Sequence, residues 1–332
     1  MCILIGMQDE STQKKCLSVD SSNAVLDNKR LDTLKPALKK RAAIISSIRR
    51  FFEDTGFLEV ETPLRISSPA PELHIDTEES LDRFLIASPE LQMKRLLAAG
   101  YDRIFEICRC FRKGERGQNH LPEFSMLEWY RLGGGMDDLM NDCEALLRCA
   151  AIGGGVIGSV IRNGHSIDLN APFYRIEVAD AFERFAKWRP SGAPDPERFD
   201  RDLVEKVEPN LPVDRPVFLV GYPATMASLA RLDPKNPERA LRFELYAGGL
   251  ELANGFCELT DAKEQRRRFE TEEQERRSAG KPPYSLDERF LGALSLGLKD
   301  CAGIALGVDR LIMLLLCANA IDDVTAFPEG TF

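Results

Sequence analysis

Three short stretches of the chain gather residue types that handle a nucleotide and a cationic small molecule. In FRKGERGQNHLPEFSMLEWYR (111–131), strand alternation puts Phe124, Met126, Glu128 and Tyr130 on one face. The Phe ring suits stacking on a flat base, and the Glu suits pairing with an ammonium. Arg112, on the neighbouring strand, carries a planar fork that matches a phosphate. An exposed hairpin laced with salt bridges would have the same composition, so this stretch alone leaves both readings open. In FELYAGGLELANGF (243–256), a turn at Gly248-Gly249 sets Tyr246 opposite Glu251, with Glu244 as a diagonal neighbour. Neighbouring carboxylates repel unless a cation lies between them, and magnesium bridging nucleotide phosphates is one such cation. Two separately solvated glutamates are the competing reading. In GIALGVDRLIML (303–314), Gly303 and Gly307 share a strand face on which a flat ligand can approach closely. Arg310 then opens an apolar helix, where a cation opposes the helix dipole and a bound anion would justify it.

Other chemistries are poorly supplied. Gly153, Gly155 and Gly158 satisfy G-x-G-x-x-G, but the residues before them read as helix and those after as strand, the reverse of a dinucleotide site. Walker A and H-E-x-x-H motifs are absent, and there are only three histidines, which argues against histidine-based metal or nucleophilic catalysis. The nine cysteines show no zinc spacing and read as reduced thiols of a cytoplasmic protein. No run approaches the roughly 18 to 20 apolar residues of a membrane span. The N-terminal MCILIGMQDE lacks the basic lead of a signal peptide. A net charge of −9 argues against a protein that grips a long nucleic acid.

The elements that must carry these stretches read as an α+β fold. Residues 1–36 are polar and irregular and are expected to form a loosely ordered extension; residues 37–332 form the folded domain. Leu38, Ile44, Ile45, Ile48, Phe51 and Phe52 recur at helical spacing, with Gly56 as a stop. FLEVET (57–62) alternates like a strand before Pro63. Strands follow at 103–111 and 124–131, and DAKEQRRRFETEEQERR (261–277) is a polar helix. The chain closes as strand, tight turn and buried helix.

In this order and spacing, the three stretches resemble the signature motifs of class II aminoacyl-tRNA synthetases. The first helix with its strand and Pro63 resembles motif 1, FRKGE…PEF motif 2, and GIALGVDRLIML motif 3. ASPELQMKRLL, HLPEFSMLEWYR and ELANGFCELTDA resemble the lysyl branch, over residues 37 to 332. Within that branch the wording is similar to paralogues that place β-lysine on elongation factor P. Too few residues precede motif 1 for the anticodon-binding barrel, so no tRNA partner is expected.

The resemblance implies an antiparallel sheet flanked by helices, ATP and Mg2+ as cofactors, lysine or β-lysine as substrate, and a homodimer built on motif 1. It implies that Arg112 binds the α-phosphate and Arg310 the γ-phosphate. Phe124 would stack on adenine, with Glu115, Leu252 and Gly307 completing the nucleotide site. Glu244 and Glu251 would hold magnesium. Glu258, Glu128 and Tyr130 would recognise the amino acid, with Ser88, Glu90, Asn254, Phe256 and Ala305 lining its pocket. Motif 2 departs from pattern: the usual Glu position is Gly114, and the carboxylate comes one residue later at Glu115.

Overall fold

The computed structural model describes residues 21–331. Its centre is an eight-stranded sheet. In chain order the strands are β1 (Leu58–Glu59), β2 (Arg103–Phe111), β3 (Glu123–Leu132), β4 (Tyr174–Glu177), β5 (Val217–Val220), β6 (Arg242–Ala247), β7 (Leu250–Cys257) and β8 (Cys301–Gly307). They lie in the order β1-β2-β3-β8-β7-β6-β5-β4. The six inner strands are antiparallel, as expected. The edge pairs β1–β2 and β4–β5 are parallel, so the sheet as a whole is mixed. The helices are α1 (Ser21–Asp54), α2 (Glu90–Ala98), α3 (Met136–Gly153), α4 (Ala262–Ser278), α5 (Glu288–Ser295) and α6 (Val308–Leu315). Short helical turns fill 178–211, and a three-stranded sheet of Arg65–Ile66, Glu79–Ser80 and Arg83–Leu85 lies before α2.

The extension does not end where the polar sequence ends. Residues 21–36, expected to be loosely ordered, form the first half of α1, and Pro36 lies inside the helix rather than at its start. A helix-interior proline forfeits one backbone bond. Tertiary contacts offset that loss. Arg30 donates to the carbonyls of Ala326 (2.7 Å) and Thr325 (3.0 Å), and Leu34 is buried. Residues 1–20, the rest of that expected extension, lie outside the described residues.

One face of the sheet is the main core. Leu127, Leu245, Ala253 and Leu306 point into it, and it is closed by Ile44, Ile48 and Phe52 of α1, by α3 and by α6. Ile45 and Phe51 are half-buried against the same core. Gly153 has its reason here: a Cβ on it would lie 2.0 Å from Ser47 Oγ, where α3 meets α1. The glycine run is thus a helix end packed on a helix, followed by the strand Ser159–Arg162.

Candidate active site

Register decides which residues meet. Directly opposed residues in adjacent antiparallel strands share a face. Glu244 pairs with Asn254, Asn254 with Ala305, Ala305 with Glu128, and Glu128 with Glu106. These five residues form one row across β6, β7, β8, β3 and β2. The next row runs Arg242, Phe256, Gly303, Tyr130. Both rows lie on the face opposite the main core. The residues of all three stretches therefore come together on one floor, which none of them could reach by local structure alone.

The amino-acid end is a buried carboxylate pocket. Ser88 donates to Glu128 Oε1 (2.6 Å) and Tyr130 to Glu128 Oε2 (2.8 Å), which fixes that carboxylate. Burial, then the neighbouring Glu90, pushes the Glu128 carboxyl up to about 8. Glu258 is fully buried, and its Oε1 has no hydrogen-bond partner. Sequence reasoning missed the residue between these groups. Lys94, also fully buried, ion-pairs with Glu90 (2.5 Å) and with Glu258 Oε2. Burial works against its ammonium, but Glu258 and Glu90 more than offset this and raise its pKa. For Glu258, burial pushes the carboxyl up and Lys94 pulls against it. Lys94 sits on α2, four residues after Glu90, so both reach the same point, and this i, i+4 spacing was the available signal.

Gly303 plays a different part from the one expected. A Cβ there would lie 2.2 Å from the Tyr130 ring and 2.4 Å from Glu258 Oε1. Its missing side chain makes room for those two residues, not for a flat ligand. Gly307 keeps its expected openness, with only Arg310 atoms near a Cβ, at 3.7 Å or more. Phe256 lies under the Lys94 ammonium at 5.8 Å. Asn254 accepts from Arg242 (3.2 Å), and Ala305 packs with Cys108, Phe124 and Met126 at the floor.

At the nucleotide end, the Arg112 guanidinium lies 5.2 Å over the Phe124 ring. Gly114 turns with a φ of +77°, a conformation that favours glycine, and this returns Glu115 to within 3.9 Å of Arg112. The displaced motif 2 carboxylate therefore still faces its arginine. Arg310, in the first turn of α6, donates to the Glu251 carbonyl (2.9 Å) and Oε2 (3.2 Å), and meets His120 at 2.5 Å. Burial, then Arg310, holds the His120 pKa below its ordinary value. Asp309 beside it is a structural anchor that the sequence did not suggest: it accepts the Ser125 N–H (2.7 Å) and pairs with Arg41 of α1 (2.6 Å).

Two expected nucleotide contacts need correcting. The Leu252 side chain belongs to the main core, so only its backbone faces the site. Glu244 is not a free ligand: it accepts from Arg242 (2.7 Å), Tyr222 (2.5 Å) and Tyr246 (2.5 Å). Glu251 is the more available of the pair, and burial, then Glu244, raises its pKa. Glu208, which sequence reasoning overlooked, accepts from Tyr246 (3.2 Å). It is pushed up to about 7 by burial and then by Glu244 and Glu251. No group of three metal-ligating residues occurs among the described residues. That donor set still fits magnesium, which keeps several waters and takes one or two carboxylates plus substrate phosphates.

The fold and site define a class. The family of class II tRNA synthetases for Asp, Lys and Asn (D, K and N) matches residues 18–331, and the chain belongs to that family. Among curated relatives, a protein of Proteus mirabilis is 44% identical over 319 residues, and one of Klebsiella pneumoniae is 42% identical over 308. Salmonella gallinarum has another, 42% identical over 308 residues. Each alignment covers 88% of this chain and 94% of the relative, and each relative is named elongation factor P–(R)-β-lysine ligase.

Proposed function

We propose that this chain activates (R)-β-lysine with ATP and transfers the β-lysyl group to the ε-amino group of a lysine on elongation factor P. One observation supports the substrate class most directly. The buried pocket sets three carboxylates, Glu90, Glu128 and Glu258, against one internal cation, Lys94. Lys94 answers Glu90 and Glu258 in the empty pocket, and the two ammonium groups of a diamino acid would favour the ionised form of the carboxyls that burial raises. The names of the relatives support the acceptor.

The substrate carboxylate attacks the α-phosphorus in line, the α–β phosphoanhydride bond breaks and pyrophosphate leaves with the electron pair, so the acyl-adenylate forms without a protein nucleophile. Arg112 holds the α-phosphate and Arg310 the γ-phosphate, where preorganised charge acts on the transition state. Phe124 stacks on adenine, while Glu115 holds Arg112 in position. Glu251, with Glu244 behind it, would hold magnesium, which neutralises phosphate charge when bound. We further propose a cytoplasmic homodimer formed through α1, with no tRNA partner; no described helix is long and apolar enough to cross a membrane.

The test has two parts. ATP–pyrophosphate exchange is measured with β-lysine and with α-lysine, and the enzyme is then offered elongation factor P or tRNA. Exchange favouring β-lysine and a mass increase of one β-lysyl group on elongation factor P are expected. Efficient charging of tRNA with no adduct on the protein would refute the reading.

A further inference from the structure

Acyl transfer to a lysine side chain raises a problem that the site described so far does not solve. The acceptor arrives as an ammonium, with an ordinary pKa of about 10.4, and must shed a proton before it can attack. Arg112 and Arg310 are cations. Glu128 is tied to Ser88 and Tyr130, and Glu90 and Glu258 are tied to Lys94. Glu115 faces Arg112, Glu251 and His120 meet Arg310, Glu208 accepts from Tyr246, and Glu244 accepts from Arg242 and two tyrosines, so each of these is committed as well.

Glu72 is free. Among the described residues its half-buried carboxylate takes no hydrogen bond and no ion pair, although the backbone around it is held firmly. The fully buried Arg276 of α4 donates to the Glu72 carbonyl (2.7 Å), the Ile75 carbonyl (3.1 Å) and Asp76 Oδ1 (2.9 Å). The Leu73 N–H donates to Glu272 Oε2 (3.0 Å). A fixed backbone thus presents an uncommitted side chain.

Its charge lies within reach of those of Glu90, Arg112, Glu272 and Arg242. It lines a cavity of about 370 Å³ whose other walls come from α4 and from residues 224–232. That segment is tied to the floor of the site, because Arg242 donates to the Met226 carbonyl (2.6 Å). The cavity has apolar walls, including Pro71, Leu229 and Phe269. Its charges are Glu72, Glu264, Glu272 and Glu275 against Arg267 and Arg268, and both arginines are bound to Glu264. Apolar wall residues beside surplus negative charge suit an aliphatic stem that ends in an ammonium.

We propose that this cavity admits the acceptor lysine and that Glu72 is the general base for the transfer step. The inference rests on the ligase reading above. Glu72 takes one proton from the ε-ammonium. The freed nitrogen lone pair then attacks the acyl carbon, and the bond from that carbon to the phosphate oxygen breaks. AMP leaves with the electron pair, and the second N–H proton passes to solvent.

The basicity of the group agrees with this role. Burial, then Glu90, pushes the Glu72 carboxyl up to about 7, with Glu272 acting in the same direction and Arg112 and Arg242 against it. A base of that strength is mostly ionised above neutral pH and is strong enough to share an ammonium proton.

Glu72→Gln separates the steps. Three rates are measured: ATP–pyrophosphate exchange with β-lysine, trapping of the adenylate by hydroxylamine, and transfer to elongation factor P. Hydroxylamine is neutral at pH 7 and needs no base. Exchange and trapping should stay within about twofold of wild type, while transfer falls by about 100-fold or more. The transfer rate of the variant should then climb steadily toward pH 10, where the wild-type rate is already level. A second variant, Thr271→Trp on the cavity wall, should raise the KM for elongation factor P and leave trapping unchanged. Wild-type transfer and pH profile in Glu72→Gln would overturn the proposal, as would equal losses in trapping and transfer. Absence of lysine-dependent exchange in the wild type would instead fail the ligase reading, so the two failures are distinct.

Discussion

Lys94→Met tests the charge balance of the amino-acid pocket. Methionine nearly matches the lysine stem, so the substitution removes a charge and leaves little cavity. Lys94 and Glu258 are both fully buried and in contact, and removing one partner of such a pair costs about 3 to 5 kcal/mol. With an unfolding entropy of about 2.1 cal/mol/K per residue, a chain of 332 residues loses roughly 1.4 °C in Tm per kcal/mol. The variant should therefore melt about 4 to 7 °C lower at pH 8.

The loss should depend on pH, and its sign follows from the neighbours. Burial has already raised the Glu128 carboxyl to about 8. A carboxyl raised in the folded state stabilises the fold at low pH, and that stability is lost as pH rises through the folded value. Lys94 opposes the rise at both Glu128 and Glu258. Without it, the folded variant retains a proton that the wild type releases. Each retained proton costs about 1.4 kcal/mol per pH unit. Because the wild type itself releases this proton only near pH 8, the gap in Tm between wild type and variant should widen by up to about 3 °C between pH 8 and pH 10. Circular dichroism melts in one buffer at both values read this directly. A gap that is equal at both pH values would refute the idea that Lys94 acts through charge on buried carboxylates.

Three further outcomes follow from the same site. Glu258→Gln should raise the amino-acid KM by roughly 100-fold or more while ATP affinity stays nearly constant; an equal loss of ATP affinity would place Glu258 elsewhere. Arg310→Ala should lower ATP–pyrophosphate exchange by orders of magnitude, because a phosphate charge loses its partner; unchanged exchange would remove Arg310 from the phosphate site. Ala305→Gly takes one methyl from the floor, directly between Asn254 and Glu128, and should shift kcat/KM toward α-lysine by about tenfold; an unchanged ratio would show that isomer choice lies in other residues.

Much of the architecture was legible because it rests on local patterns. Alternation placed Phe124, Met126, Glu128 and Tyr130 on one face, and the paired glycines placed the hairpin turn. Gly248 and Gly249 adopt φ values of +58° and +75°, and Tyr246 does stand opposite Glu251. The helix start was misread because residues 21–36 carry little apolar periodicity. Their order comes from contacts such as Arg30 to the Ala326 carbonyl, nearly three hundred residues away.

Residue types and motif order by themselves determined the family, the floor-lining side chains and the demand for a cation-binding pocket. Pairing across the sheet decided the rest. A sequence lists Glu258 as a carboxylate available to a ligand; only the approach of α2 to the end of β7 reveals that Lys94 already answers it. Gly303 reads as space for a ligand until the Tyr130 ring is seen to fill it. Glu72 carries no motif at all, and its significance comes from the Arg276 clamp and from the cavity it lines. The physical reason is common to all three. Charge, burial and free volume depend on every neighbour in space, and most of these neighbours are distant along the chain.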